Sequence, residues 1–389
     1  MQRTRHNITR LDDTLLFPAD PERASACNSA LGRYQKKTFL MQIFRGFRHP
    51  GVAPACALTI GNFDGVHRGH QAMLALLQTE ARHRGLPSCV MTFEPHPRDY
   101  FAGVARKPEL APARIATLRD KLSELEACGV NQVVVLPFDA RLAGQSPQQF
   151  IEEVLVGGLG VRYVLVGDDF RFGAKRAGDY AMLDAAGQAR GFDVARMNAY
   201  EVRGLRVSST AVREALAEGR MDDAQTLLGR PYAISGHVVH GRKLGRALGA
   251  SEPGRDDGFR TLNLRFKHWK PAASGIFAVR VHGLAESWLP GVANLGVRPS
   301  LDANDVNGGR VLLETHCLEW PAELGAEGAY GKLVRVELLH KLHDELRYTS
   351  LEALTAGIAK DRDDARAFFA SRTEDSHAQT RRQTTRDRI

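Results

Sequence analysis

GNFDGVHRGH (residues 61–70) stands between an apolar run at residues 56–60 and a segment, 67–84, whose apolar residues recur at helical spacing. This order predicts a strand, a glycine-rich turn and the N-terminus of a helix. A helix N-terminus presents unpaired N–H groups and a partial positive charge, which favour phosphate binding. His67 and His70 lie three residues apart and should share one face of the first helical turn. The segment therefore predicts a nucleotide phosphate site that contains two imidazole groups.

The composition limits the class of protein. The chain has 389 residues, of which 43% are hydrophobic and 25% are charged, and this predicts two globular domains. No apolar run is as long as a membrane span, so we expect no membrane partner. Five scattered cysteines without a C-x-x-C pair predict reduced thiols and a cytoplasmic protein. The net charge of +8 suits an enzyme that handles polyphosphates, and we expect no nucleic-acid partner.

The first half of the chain alternates short apolar strands with amphipathic helices. This pattern predicts a Rossmann-like α/β domain with a parallel sheet covered on both faces, whose ligands lie at the carboxyl ends of the strands. The predicted strands are 56–60, 88–93, 131–137, 162–167 and 193–197, and the predicted helices are 67–84, 115–128, 147–155, 179–190 and 209–218.

The second half contains short β-like runs separated by turn residues. They predict a small antiparallel β-barrel closed by a long helix at 350–371. The predicted strands are 232–239, 259–266, 276–282, 290–297, 310–318 and 332–341. We therefore divide the chain into a disordered extension (1–40), an α/β domain (41–228), a β domain (229–372) and a disordered tail (373–389).

The histidine pair has the H-x-G-H pattern of nucleotidyl transferases. Such enzymes stabilise the negative charge that gathers when a nucleophile attacks the α-phosphate of a nucleotide. A second helix start at residues 208–213 offers the hydroxyl groups of Ser209 and Thr210 and the guanidinium of Arg213, which could grip terminal phosphates. The alternative is a plain helix cap followed by a solvated arginine.

Five segments in order resemble the FMN adenylyltransferase module of the bacterial bifunctional riboflavin kinase/FAD synthetase family. They are GNFDGVHRGH, FEPHPRDYF (93–101), LPFDARLAGQSPQQF (136–150), VGDDFRFG (166–173) and SSTAVRE (208–214). The resemblance implies that catalytic His67 and His70 stabilise the ATP phosphates, with Mg²⁺ bridging the phosphate oxygens. It also implies that Ser209, Thr210 and Arg213 hold the β/γ-phosphates. The other residues expected around the nucleotide are Gly61, Asn62, Phe63, Asp64, Gly65, Gly69, Asp169 and Phe170. Phe93 and His96 could lie against the flavin ring.

The second half resembles the riboflavin kinase module of the same family. Residues 236–249 resemble its glycine-rich phosphate loop, with Gly236, Gly241 and Gly245. Thr261 and Asn263 carry side-chain oxygens suited to Mg²⁺. Glu314 matches the region of the family's catalytic base, which takes the proton from the 5′-hydroxyl of riboflavin. The family motif is altered here by an insertion at 250–257 and by Arg260 and Leu262, and His343 replaces the usual arginine.

The resemblance predicts a flavin-cofactor enzyme with two reactions. The β domain would convert riboflavin and ATP to FMN and ADP, and the α/β domain would convert FMN and ATP to FAD and pyrophosphate. One alternative is an FMN adenylyltransferase whose kinase module is degenerate and only binds flavin, because of the insertion and Arg260. Another is a non-catalytic flavin sensor or an RNA-binding protein, because the chain termini are basic.

Overall fold

The computed structural model describes residues 41–202, 204–240, 261–266, 270–298, 310–325 and 327–386. Within these residues the chain forms two six-stranded sheets and a two-stranded ribbon. The predictions for residues 1–40 and for the insertion at 250–257 lie outside the described residues. None of the helices in the described ranges is both long and apolar enough to cross a membrane.

The first sheet is parallel throughout, as predicted, with the strand order β1-β4-β3-β2-β5-β6. Its strands are β1 (Gln42–Arg45), β2 (Cys56–Ile60), β3 (Ser88–Glu94), β4 (Gln132–Pro137), β5 (Val161–Gly167) and β6 (Asp193–Met197). All five residues of β2 are buried, because helices cover both faces of the sheet. Since β3 and β5 flank β2, the loops that follow these three strands adjoin at one edge.

The helices of this half are α1 (Arg68–His83), α2 (Pro97–Val104), α3 (Leu118–Ala127), α4 (Ala140–Gly144), α5 (Pro147–Gln149), α6 (Tyr180–Arg190), α7 (Ser209–Ala217) and α8 (Met221–Leu228). A π-helix (Phe150–Val156) continues α5, and the ribbon pairs β7 (Glu201–Val202) with β8 (Leu205–Arg206). The predicted strands and helices of this half are confirmed to within a few residues. The sequence missed β1, α2, α4 and α8, which are too short to show a clear periodicity.

The second sheet is an antiparallel, nearly closed barrel, as predicted, with the order β10-β13-β12-β11-β14-β9. Its strands are β9 (Tyr232–His237), β10 (Thr261–Phe266), β11 (Gly275–His282), β12 (Leu289–Arg298), β13 (Arg310–Cys317) and β14 (Leu333–His343). The backbone N–H of Val239, just after β9, donates to the carbonyl oxygen of Asn263 at 2.9 Å and brings the two edge strands together.

The last helix is longer than predicted. α9 (Leu351–Arg386) continues through the segment from 373 onward, for which the sequence predicts disorder. Ala365, Phe368 and Phe369 pack against the barrel, whereas Leu351, which the predicted apolar stripe included, is 58% exposed. The prediction ended the helix where its apolar stripe ends, but polar residues such as Glu, Gln and Arg are also good helix formers.

One hydrophobic core joins the two halves. Leu216 of α7 and Leu227 of α8 belong to the same buried cluster as Phe277 and Val336 of the barrel. Two backbone hydrogen bonds also cross the boundary, since Arg114 N–H donates to the Lys270 carbonyl and Ala272 N–H donates to the Arg114 carbonyl. The halves are therefore packed against each other and not only tethered.

We expect Leu216→Ala to destabilise both halves. Leu216 is fully buried in the shared core, so the cavity should cost about 2–5 kcal/mol of unfolding free energy. All three tryptophans follow residue 260, so their fluorescence during urea unfolding measures whether a change in α7 reaches the barrel. The control is Leu205→Ala, at a position that is 57% exposed. Equal unfolding midpoints for the two variants would contradict the shared core.

Candidate active sites

The loop after β2 has an unusual backbone. Phe63, Gly65 and Val66 have positive φ angles of 48°, 83° and 39°. Gly65 is required here, because a Cβ atom would lie 2.6 Å from Cγ2 of Ile115. A β-branched residue such as Val66 is rarely found in this region, so surrounding contacts must hold the loop in place.

The two predicted histidines lie together at the start of α1. His67 caps the helix, because its Nδ1 atom accepts a hydrogen bond from the backbone N–H of His70 at 3.3 Å. The two imidazole rings stack with centroids 3.6 Å apart, and the ring of Phe63 packs against His70. Since Nδ1 of neutral His67 is an acceptor, its Nε2 atom carries the hydrogen and can donate to a ligand.

Burial keeps both imidazoles neutral in the free protein. It lowers the pKa of His67 to about 4, and it lowers the pKa of His70 well below its usual value. The positive charges of Lys121, Arg213 and Arg230 near His70 further disfavour its protonation. The pair therefore offers neutral N–H donors, and a bound polyphosphate would be the charge that favours their protonation.

The Asp64 carboxylate is buried and committed to partners within the protein. It accepts hydrogen bonds from the backbone N–H groups of Ile115 and Ala116 and forms a 2.6 Å ion pair with Arg213. Burial alone would raise the pKa of Asp64, but Arg114 and Arg213 hold it below its usual value. Asp64 is thus placed to orient Arg213 and the backbone of residues 115 and 116.

The start of α7 meets the same loop. Ser208 caps α7, and the hydroxyl of Ser209 donates to the Asp64 carbonyl at 3.2 Å. Arg213 also donates to the carbonyl of Ala113 at 2.6 Å. The structure therefore brings Ser209 and Arg213 to the histidine loop, whereas the side chain of Thr210 is exposed.

Two buried cations near this edge of the parallel sheet were not predicted from the sequence. Arg114 pairs with Asp99 at 2.8 Å, and Lys121 is fully buried with its Nζ atom donating to the Thr92 hydroxyl at 3.3 Å. Burial and the charge of Arg114 lower the pKa of Lys121 to about 8. Several buried polar atoms nearby have no hydrogen-bond partner among the described residues: Asn62 Oδ1, His70 Nδ1, Glu94 Oε2, Asp99 Oδ1, Arg114 Nε and Arg114 Nη2. Such a cluster indicates a polar ligand site.

Asp169 and Phe170 follow β5, the neighbour of β2, as predicted. Asp169 is exposed at the sheet edge, while the ring of Phe170 stacks on Phe172 with centroids 5.5 Å apart. They adjoin the histidine loop through the strand order, although none of the contacts described for these two residues reaches the histidines.

The predicted flavin residues lie in an aromatic surface that the sequence analysis only partly found. Phe93 contacts Phe138 edge to face, and Tyr100 and Phe101 contact the same ring. Phe101 is 53% exposed, so the surface is open to a planar ligand. His96 caps α2 by accepting from Arg98 N–H, and burial lowers its pKa to about 3.

The second cluster lies on three adjacent barrel strands. Asn263 of β10 stands opposite Glu314 of β13, and Glu314 stands opposite Asn294 of β12. Residues directly opposite on neighbouring strands project from the same face, so these three side chains form one polar row. Thr261 joins the same face, two residues before Asn263. The buried Oδ1 atom of Asn294 has no hydrogen-bond partner in the described ranges.

The predicted kinase loop is only partly described. Gly236 lies in β9 beside Leu264, whereas Gly241, Gly245 and Arg260 lie outside the described residues. His343, where the family usually has arginine, ends β14 and forms a 2.7 Å ion pair with Asp361 of α9. Burial opposes its charge, but hydrogen bonds to Asp361 and to the Asp344 carbonyl raise the pKa of His343. A protonated His343 keeps a positive charge at this position.

Each of the two clusters lies in a segment of the chain that matches a known protein family. Residues 50–211 match the family model for FAD synthetase, and residues 228–369 match the family model for riboflavin kinase. The bifunctional riboflavin kinase/FMN adenylyltransferase of Escherichia coli K12 is 46% identical over 331 residues, which cover 85% of this chain and 98% of that protein. The enzyme of the same name from Haemophilus influenzae is 42% identical over 332 residues, covering 85% of this chain and all of that protein.

A solved structure described as a macrolide-efflux protein from Streptococcus pneumoniae is also similar. It has a TM-score of 0.63 and 24% identity, and the match covers 84% of this chain and 99% of that chain. At this identity the match speaks for a shared fold alone.

We expect protonation of His67 to destabilise the protein in mild acid. Its folded pKa of about 4 lies below the value of 6.5 for an unfolded histidine, so the unfolding free energy should fall as the pH drops from about 6.5 towards 4. The His67 share of that fall should reach at most about 3 kcal/mol. His67→Gln should flatten the pH dependence measured by urea unfolding, whereas the exposed control His83→Gln should not. Parallel curves for wild type and His67→Gln would contradict the buried neutral state.

Proposed function

Because the chain belongs to the family of bifunctional riboflavin kinases/FMN adenylyltransferases, we propose that the two clusters described above are its two active sites. The enzyme phosphorylates riboflavin with ATP to give FMN, and it adenylylates FMN with ATP to give FAD and pyrophosphate. One observation supports the assignment above all. The histidine loop falls in the segment that matches FAD synthetase, and the Asn263–Glu314–Asn294 row falls in the segment that matches riboflavin kinase. We accordingly assign residues 41–228 and 229–372 to the two domains.

In the adenylyltransferase site, a phosphate oxygen of FMN attacks the α-phosphorus of ATP. The bond to the bridging oxygen breaks and pyrophosphate leaves. Since the FMN phosphate is already ionised, the reaction needs donors for the developing charge more than a strong base. The Nε2–H group of His67, the ring of His70 and the N-terminus of α1 supply such donors.

The surrounding residues position the two substrates. Ser209, Thr210 and Arg213 at the start of α7 would hold the β- and γ-phosphates, with Arg213 oriented by Asp64. Asp169 and Phe170 would border the nucleotide. The aromatic surface around Phe93 and Phe138, next to His96, suits the planar flavin ring.

In the kinase site, Glu314 accepts the proton from the 5′-hydroxyl of riboflavin as that oxygen attacks the γ-phosphorus of a second ATP. The bond to the β-phosphate oxygen breaks and ADP leaves. Gly236, Gly241 and Gly245 would wrap the phosphates of the nucleotide.

The polar row has the oxygen donors that Mg²⁺ prefers. Thr261 and Asn263 would hold the ion beside Glu314. On the same face, the Oδ1 atom of Asn294 has no hydrogen-bond partner among the described residues and is free to accept one from a ligand. When bound, Mg²⁺ supplies charge neutralisation for the phosphate oxygens. We also infer a cytoplasmic location, because Cys56, Cys89, Cys128 and Cys317 are free thiols.

We expect His70→Ala to remove FAD synthesis and to leave FMN production intact. Loss of one donor to a developing oxyanion typically lowers kcat by about 100- to 1000-fold. Chromatography of the products from riboflavin, Mg²⁺ and ATP separates FMN from FAD. The exposed control His83→Gln should match wild type, and an equal loss of both activities in folded His70→Ala would refute the separation of the sites.

Glu314→Gln should have the converse effect. Without a carboxylate to accept the proton, FMN production should fall by about 100-fold or more, while adenylylation of supplied FMN continues. The exposed control Glu319→Gln should keep both activities. Undiminished phosphorylation of riboflavin by Glu314→Gln would exclude Glu314 as the base.

A further inference from the structure

Arg230 lies in the connection between α8 and β9 and reaches back to the histidine loop. Its guanidinium donates to the carbonyl oxygens of Gly65 at 2.8 Å and of Val66 at 3.1 Å. These are the residues whose backbone has positive φ angles. A side chain from the domain boundary therefore binds the most constrained part of the adenylyltransferase loop.

A second side chain holds the same part of the loop. The Nε2 atom of Gln71, in the first turns of α1, donates to the carbonyl oxygen of Val66 at 2.9 Å and to that of Leu228 at 2.8 Å. Arg230 also donates to the Leu228 carbonyl, at 3.1 Å. Gln71 and Arg230 thus share two acceptors and fix the loop against the end of α8.

Arg230 is itself oriented by a chain of ion pairs that begins in α3 and continues into the barrel. Its Nε atom forms a 2.8 Å ion pair with Glu124 of α3, and Arg335 of β14 forms a 3.1 Å ion pair with the same carboxylate. One turn earlier on α3, Asp120 accepts a hydrogen bond from the backbone N–H of Ser235 in β9 at 3.1 Å. The side chain of Glu124 is only 14% exposed, so solvent screens its ion pairs weakly.

We propose that Arg230 is a positioning residue for adenylyl transfer, which holds the Gly65–Val66 carbonyls and is oriented through Glu124 by Arg335 of the kinase barrel. The hydrogen bonds from Arg230 to these two carbonyl oxygens fix the orientation of the peptide planes of the loop. The loop leads directly into His67 and the N-terminus of α1. The barrel thereby supports the reaction at the other active site without contacting its substrates. This inference rests on the proposed location of adenylyl transfer at the histidine loop.

The main test is Arg230→Lys. A lysine keeps the charge beside Glu124, but its single ammonium cannot replace the planar guanidinium that binds three carbonyl oxygens and a carboxylate together. We expect kcat for adenylylation of FMN at saturating ATP to fall about 10- to 100-fold, because small displacements of catalytic groups are costly. The kinase kcat should stay within about twofold of wild type. Arg84→Lys is the matched control, since Arg84 also pairs with two carboxylates, Glu80 and Asp193, away from the loop.

Two further variants separate positioning from simple stability. Gln71→Leu should lower the adenylylation kcat in the same way, and the double variant should lose little more than the worse single variant, because both side chains hold Val66. Arg335→Gln should lower adenylylation about 3- to 10-fold through Glu124. A purely structural role for Arg230 predicts instead an equal loss of both activities together with a lower melting temperature, and that result would overturn the proposal.

Unchanged adenylylation in Arg230→Lys would also overturn it. Failure of this inference is distinguishable from failure of the proposed site. If His70→Ala retains FAD synthesis, the location of the reaction is wrong, whereas loss in His70→Ala together with full activity in Arg230→Lys refutes only the role of Arg230.

Discussion

The buried carboxylate of Asp64 organises the adenylyltransferase site. It joins three parts of the chain, because it lies in the loop after β2, contacts the segment Arg114–Ala116 through two backbone amides and the Arg114 side chain, and pairs with Arg213 of α7. A buried carboxylate is tolerated only when it is paired and hydrogen-bonded, so these elements must meet in this arrangement for the charge to be stable. The placement of α7 beside the histidine loop follows from that requirement.

Burial is the main reason why the histidines are neutral, and nearby cations such as Arg213 and Arg230 further disfavour positive charge on the imidazoles. The Asp64 carboxylate acts in the opposite direction on His67, but its effect is smaller than that of burial. The free enzyme therefore presents neutral imidazoles among fixed arginines. If ATP binds at this site as proposed, its negative charge would favour protonation of the imidazoles.

The sequence predicted the longer strands and helices and the local motifs. Fully apolar strands such as β2 and the amphipathic spacing in α1 predicted the parallel sheet, and the histidine loop was predicted from its place between an apolar run and an amphipathic segment. The long-range ion pairs could not be predicted from the sequence, because their partners are far apart in the chain. Asp64 and Arg213, for example, are 149 positions apart. Lys121 resembles any solvated helix lysine in sequence, and only the packing of α3 shows that it is buried. The aromatic residues around Phe138 were missed because no local pattern links them.

The cross-strand row of Asn263, Glu314 and Asn294 also has a consequence for the pairing register of the barrel strands. Each polar residue of the row has a core leucine next to it in the chain. These leucines are Leu262 and Leu264 beside Asn263, Leu313 beside Glu314 and Leu295 beside Asn294. A slip of one residue in any of these strands would bury a polar group and expose a leucine. The alternation itself thus fixes the pairing register of these strands, whatever the length of the connections between them.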